Sequence, residues 1–175
     1  TSGTSSKPKQ VVLSHRNICA SARNIAEAVE LSDSDRCLSV MPLFHIHGLS
    51  ALYATLFAGG SIYCAKTFSA DLFSETFHVY QPNWYTAAPT IHYEILDRVR
   101  KEPELASQHA LRFLRSASAP MPLSLIEDLE AVFKVPFIEA YGMTEAGPQI
   151  SSNRLAHSLR KRGSVGKPAG PEVVI

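Results

Sequence analysis

The chain has little of what marks a secreted scaffold, a membrane protein or a nucleic-acid binder. Its three cysteines, Cys19, Cys37 and Cys64, are odd in number and carry no paired ligand spacing, which argues against a disulfide framework or a cysteine-based zinc module. Their apolar neighbours predict buried free thiols in a reducing compartment, the cytoplasm or, in a eukaryote, the peroxisome. No apolar run approaches the roughly 20 residues needed to span a bilayer, because Pro, His, Gly or charge interrupts each one. Seventeen basic and sixteen acidic side chains leave a formal net charge of +1, so no global field draws nucleic acid or anionic lipid, and any anion site must be local. Arg160-Lys161-Arg162 is too short to change this and reads as a solvated loop. An initiator Met and a signal-peptide pattern are also lacking at Thr1-Ser2-Gly3, and Pro171-Glu172-Val173-Val174-Ile175 closes the chain on a strand-like run. The expectation is an internal piece of a longer protein.

What is present is enough apolar content, 45% of 175 residues, for one globular unit with a sizeable core. β-like runs alternate with helical ones. Val11-Val12-Leu13 leads to Ser14, a potential N-cap for a helix reaching about Leu31, with Ile18, Ala22, Ile25 and Val29 at helical spacing. Strands are predicted over 38–41, 61–65, 84–87, 113–116 and 137–140. Helices are predicted over 49–58, closed by Gly59-Gly60, and over 70–80, 90–101 behind Pro89, and 123–133 behind Pro122. After Gly142 the helical period fades into Ser, Arg, Lys and Gly, read as loops joining the α/β unit of residues 1–142 to a further β subdomain over 143–175. The fold class is α/β, an open, doubly wound, mainly parallel sheet with crossover helices, in which ligands collect beyond the carboxyl ends of the strands.

Four segments there could carry chemistry. Thr1-Ser2-Gly3-Thr4-Ser5-Ser6-Lys7-Pro8-Lys9 offers small hydroxyls, a glycine and lysines, a composition suited to polyphosphate and equally to an ordinary flexible loop. It lacks the spacing of a Walker A loop. Met41-Pro42-Leu43-Phe44-His45-Ile46-His47-Gly48 follows a buried strand. Its two imidazoles could hold zinc, but without a nearby carboxylate or thiol the wall of an organic pocket fits better. Arg115-Ser116-Ala117-Ser118-Ala119-Pro120 has residues small enough for a flat ligand to lie against the backbone, or simply for a tight turn. Tyr141-Gly142-Met143-Thr144-Glu145 offers an aromatic face, a hydroxyl and a carboxylate, suited to adenine, phosphate and magnesium.

In this order and spacing the four segments resemble the adenylate-forming superfamily of acyl-CoA synthetases, coumarate-CoA ligases, luciferases and peptide-synthetase adenylation domains. Ser14-His15-Arg16-Asn17 and Gly163-Ser164-Val165-Gly166-Lys167-Pro168 are similar to that family too, so the resemblance covers essentially the whole chain. It implies ATP-dependent activation of a carboxylic acid to an acyl-adenylate, then transfer to coenzyme A, with Mg2+ as the metal. By motif, Thr1, Ser2, Gly3, Thr4 and Lys9 would hold the β and γ phosphates. Ser118, Ala119 and Tyr141 would frame adenine, Thr144 would contact phosphate, Glu145 would bind magnesium, and His45 would line the acyl pocket.

The pattern departs from the family at Ser6 and Gln10, where glycine is usual and would let backbone approach the ligand more closely. Residues 41–49 and 151–166 look like the branch containing oxalate-CoA ligases, although Pro148 stands where a His is common there. A small carboxylic acid is the expected substrate, with oxalate one possibility. The resemblance also implies that the ribose-binding Asp, the hinge and the small C-terminal domain lie beyond Ile175, so the isolated chain is expected to be inactive or only nucleotide-binding. A non-catalytic remnant is the rival reading. A Ser/His hydrolase is disfavoured because no Gly-x-Ser-x-Gly elbow occurs. Oligomeric state leaves no mark in the sequence.

Overall fold

The computed structural model describes residues 8–65 and 68–174. Helix α1 (His15–Ala28) starts where the sequence places it, with Ser14 in a capping box. The Ser14 Oγ accepts from Asn17 N at 3.2 Å, and Asn17 Oδ1 accepts from Ser14 N at 3.0 Å, so two otherwise unpaired helix-end donors are satisfied. The preceding Val11-Val12-Leu13 run is not a strand: it leads directly into the cap without regular structure, and Val12 is exposed.

The remaining elements are β1 (Arg36–Ser39), α2 (Ile46–Phe57), β2 (Ser61–Cys64), α3 (Ala70–Tyr80), β3 (Trp84–Ala87), α4 (Pro89–Lys101), α5 (Glu104–Ser107), β4 (Phe113–Ser116), α6 (Leu123–Phe133), β5 (Phe137–Gly142), β6 (Gln149–Ser152) and β7 (Lys167–Pro168). They build a seven-stranded sheet in the order β2-β1-β3-β4-β5-β6-β7. The first five strands are parallel and the last two antiparallel. Thus the loops expected after Gly142 contain two short strands that extend the same sheet.

The pleat sorts alternate residues to two faces. Trp84, Phe113, Cys37 and Ile138 form one apolar cluster with Val29 and Ala51, where α1 and α2 pack. Trp84 and Phe113 stack there at 5.4 Å. On the other face Leu38, Tyr85, Leu114 and Phe137 meet Phe73 and Phe77 of α3, Ile95 and Val99 of α4, Leu105 of α5 and Leu129 and Phe133 of α6. Strands buried on both sides need apolar side chains at nearly every position, which is why β3 and β4 are buried throughout. Cys37 is buried as expected, but Cys19 and Cys64 are exposed: one lies on the outer face of α1 and the other on edge strand β2.

At the carboxyl ends the apolar pattern breaks. Ser39, Thr86, Arg115, Ser116 and Glu139 are polar yet buried. The strand order reverses between β1 and β3, the switch point at which open α/β sheets leave a crevice.

Candidate functional site

The crevice is assembled from segments following β1, β4 and β5. Gly48, in the first turn of α2, approaches the chain that leaves β1 closely enough that a Cβ would lie 2.4 Å from the Pro42 carbonyl oxygen. Only glycine allows that approach, and it fixes the direction of His47. His47 is buried, its Nε2 2.6 Å from Thr86 Oγ1 of β3 and its Nδ1 3.0 Å from Ser118 Oγ of the loop after β4. His45 is the exposed N-cap residue of the same helix, so the imidazole brought against Ser118 is that of His47.

Arg115 bears on the tautomer of His47 through Thr86. Its Nη1 donates to Thr86 Oγ1 at 3.4 Å, and Thr86 is a register partner of Arg115 in the parallel ladder. With its oxygen accepting from Arg115, the Thr86 hydroxyl can turn its proton to His47 Nε2, an arrangement in which Nδ1 carries the ring proton and donates to Ser118 Oγ. The Ser118 hydroxyl proton is then aimed onward, into the crevice. Burial, followed by the positive charge of Arg115, pushes the His47 imidazole well below its usual range and keeps it neutral. Arg115 is itself depressed to about 10 by burial, still protonated at neutral pH.

Two contiguous cavities open here. The smaller, with about 320 Å³ of empty space, is lined by Ile46, His47, Arg115, Ser118, Tyr141 and Gln149 among others. The larger, about 740 Å³ of space that includes open solvent, runs between Ser118, Ala119 and Pro120 on one side and Glu139, Tyr141, Gly142 and Gly163 on the other. Ser118, Tyr141 and Gly142 line both. Ser118 sits at φ +82°, a left-handed conformation unusual for a side chain with a Cβ. The Tyr141 ring is about half exposed and forms a wall. Gly142 passes the Pro148 carbonyl so closely that a Cβ would stand 2.1 Å from its oxygen. Glu139, at the floor, accepts from Gly163 N at 2.8 Å, and burial raises its carboxyl above the ordinary range despite that bond.

Ser118, Ala119 and Tyr141, expected from the sequence to frame a flat ring, therefore do meet around one cavity. Thr144 and Glu145 follow in a short 3-10 turn over Thr144–Ala146 at the end of β5, where Glu145 is exposed. A lone exposed carboxylate fits a magnesium ion that keeps waters and phosphate oxygens as its other ligands. Lys9 is exposed on the chain leading to α1. Thr1, Ser2, Gly3 and Thr4 lie outside the described residues. Thr86, Glu139 and Gln149 line or support the crevice although the sequence reading gave them no place in it, and Arg115 opens the third segment without a role of its own. Arg115 offered a signal, a charge inside an otherwise apolar strand pattern, Phe113-Leu114-Arg115-Ser116.

Over all of the chain, the sequence is 45% identical to the oxalate-CoA ligase of Arabidopsis thaliana, covering 35% of that protein. It is 43% identical to the oxalate-CoA ligase of Saccharomyces cerevisiae, covering 32%. The structure superposes on O-succinylbenzoate coenzyme A synthetase of Bacillus subtilis in complex with ATP and magnesium with a TM-score of 0.83 and 31% identity, over 97% of this chain and 34% of that one. The chain thus spans about a third of the length of these relatives. The family model described as AMP-binding enzyme matches residues 1–175, and the chain belongs to that family.

Proposed function

We propose that the full-length protein uses ATP and magnesium to convert a small carboxylic acid to its acyl-adenylate and then passes the acyl group to coenzyme A. The observation that carries this reading is the pair of joined cavities. A larger space walled by Ala119 and Tyr141 meets a smaller recess holding His47 and Arg115, and Ser118 borders both. An acid in the recess would present its carboxylate to the α-phosphorus of a nucleotide in the larger space. The relatives named for oxalate and succinylbenzoate support a carboxylic acid as the activated group.

The residues supply position and electrostatics. Tyr141 and the backbone around Ala119 hold the base. The Ser118 hydroxyl, polarised through His47 and Thr86 by Arg115, donates to the reacting carboxylate and orients it. Charge that builds on phosphate oxygens during adenylation would be met by Thr144, by Lys9 with Thr1, Ser2, Gly3 and Thr4, and by the magnesium ion at Glu145. The ion supplies charge neutralisation, and the fixed donors supply the orientation that lowers the barrier.

The test is AMP release by the full-length protein with a panel of short acids. Release that requires acid, ATP, magnesium and coenzyme A together is expected. ATP binding without acid-dependent AMP or pyrophosphate formation would assign the chain a binding role instead.

A further inference from the structure

Among the described residues the buried guanidinium of Arg115 has no counter-charge. Several other arginines find carboxylates: Arg98 pairs with Asp71 and Glu102, Arg100 with Asp128, Arg112 with Asp35, and Arg160 and Arg162 with Glu130. Arg115, 3% exposed, forms no ion pair among the described residues. Its partners are neutral oxygens, Thr86 Oγ1 at 3.4 Å and Gln149 Oε1 at 3.1 Å, and its Nε has no hydrogen-bond partner among the described residues. An isolated buried cation is costly, and a side chain that serves packing alone is better replaced by an apolar one.

The side chain lines the small recess beside His47 and Ser118. These neighbours take different parts of an acid. Ser118, at the junction of the two cavities, faces the carboxylate that reacts. Arg115 comes from inside β4, and with Gln149 it occupies the sheet side of the recess, away from the larger space, whose lining it does not join. A planar guanidinium recognises a carboxylate or sulfonate by paired N–H donors. The recess is the smaller of the two cavities, which favours a short linker between the two groups.

Resting on the reading above, we infer that Arg115 determines specificity, its guanidinium binding a second anionic group on the acid, so that the enzyme activates short acids with two negative groups and rejects those with a neutral tail. The ligand completes the ion pair that the fold leaves open. An acid with a neutral tail would leave the cation desolvated and unpaired, so discrimination comes as much from rejection as from attraction.

The experiment measures acid-dependent AMP release by the full-length protein for diacid and monoamide pairs, oxalate against oxamate and malonate against malonamate. Each pair keeps its shape and loses one charge. Wild type is expected to favour at least one diacid by more than about tenfold in kcat/KM. In Arg115→Met that preference should collapse towards unity, chiefly through a higher KM for the diacid, while the KM for ATP moves little. Arg115→Lys should retain an intermediate preference. A thermal shift on adding AMP shows that each variant is folded. If Arg115→Met fails that check, the wild-type pairs and Arg115→Lys decide the matter. Equal use of diacid and monoamide by wild type, or a preference that survives in a folded Arg115→Met, overturns the role of Arg115 and leaves acid activation standing. Activation of no acid by wild type overturns both.

Discussion

His47 Nδ1 lies 3.0 Å from Ser118 Oγ, so a helix that follows β1 and a loop that follows β4 are joined by one hydrogen bond across the mouth of the crevice. On the far side of the ring Nε2 lies 2.6 Å from Thr86 Oγ1, which accepts from Arg115; with Thr86 giving its own proton to Nε2, Nδ1 is the protonated nitrogen. The expected 15N NMR signature is a protonated Nδ1 and a bare Nε2. His47 should remain neutral as the pH falls through its ordinary value of 6.5, because burial and then Arg115 disfavour the cation. A ring that titrates near pH 6.5, or that shows the opposite tautomer, would contradict the chain of donors.

Ser118 allows strain and chemistry to be separated. At φ +82° a glycine is at ease, whereas serine or alanine carries a cost of about 1 kcal/mol. Ser118→Gly should therefore be more stable than Ser118→Ala by roughly that amount in chemical denaturation. Both lose the hydroxyl, and both should lose about tenfold or more in kcat/KM for the acid in the full-length protein, the size expected for a hydrogen bond to a charged group. If Ser118→Gly kept full activity, the hydroxyl would have no part in holding the acid.

Acid should destabilise the fold through His92. This ring is buried between Tyr85 Oη at 3.3 Å and the Arg115 carbonyl at 3.2 Å, and burial depresses its pKa from 6.5 to about 4. Between those values the unfolded chain binds a proton that the folded chain refuses, so stability falls as the pH drops from 6.5 towards 4, and the loss saturates near about 3 kcal/mol for this group. His47, shifted in the same direction, adds to the slope. Denaturant midpoints measured from pH 7 to 4 should show a shallower decline in His92→Gln than in wild type, even if the variant starts lower.

The elements and their order were legible because buried parallel strands and amphipathic helices leave strong periodic signals. Ala70–Tyr80, Trp84–Ala87, Phe113–Ser116 and Leu123–Phe133 fall where the pattern puts them. Strands β6 and β7 were not legible: Ser151, Ser152 and Asn153 are buried by hydrogen bonding and sheet pairing rather than by apolar content. Val11-Val12-Leu13 had strand composition but lies outside regular structure, leading straight into the Ser14 cap. In the site, the motif segments were readable and the orientation of side chains was not. His45 and His47 are equivalent as letters; the helix start at Ile46 and the close approach at Gly48 turn one ring out and the other in. The missing partner of Arg115 is a fact about three dimensions that no spacing rule conveys.

The turn between α1 and β1 depends on Asp35, which is almost fully buried. One carboxylate oxygen accepts from Ser32 N at 2.7 Å, and the other pairs with Arg112, which also donates to the Glu30 carbonyl at 3.1 Å. Asp35→Ala should cost about 3 kcal/mol, because a buried pair is broken while the Ser32 amide and the guanidinium lose their acceptor. Arg112→Ala should cost less, since Arg112 is partly exposed and water can solvate what is left. Equal and small losses in urea unfolding would show that the turn holds without this pair.

Tyr141 tests the nucleotide side of the crevice independently of the acid. Its ring is 47% exposed and contributes little to the core, so Tyr141→Ala should unfold at nearly the wild-type denaturant concentration. The same change removes the wall of the larger cavity, and stacking of a purine on an aromatic ring is worth about 1–3 kcal/mol, so AMP affinity of the full-length protein should fall by roughly ten- to a hundredfold. Tyr141→Phe keeps the ring and should bind AMP almost as wild type does. Calorimetric titration of the three proteins separates the outcomes: if Tyr141→Ala and Tyr141→Phe bind equally, the base rests elsewhere and the larger cavity is not its seat.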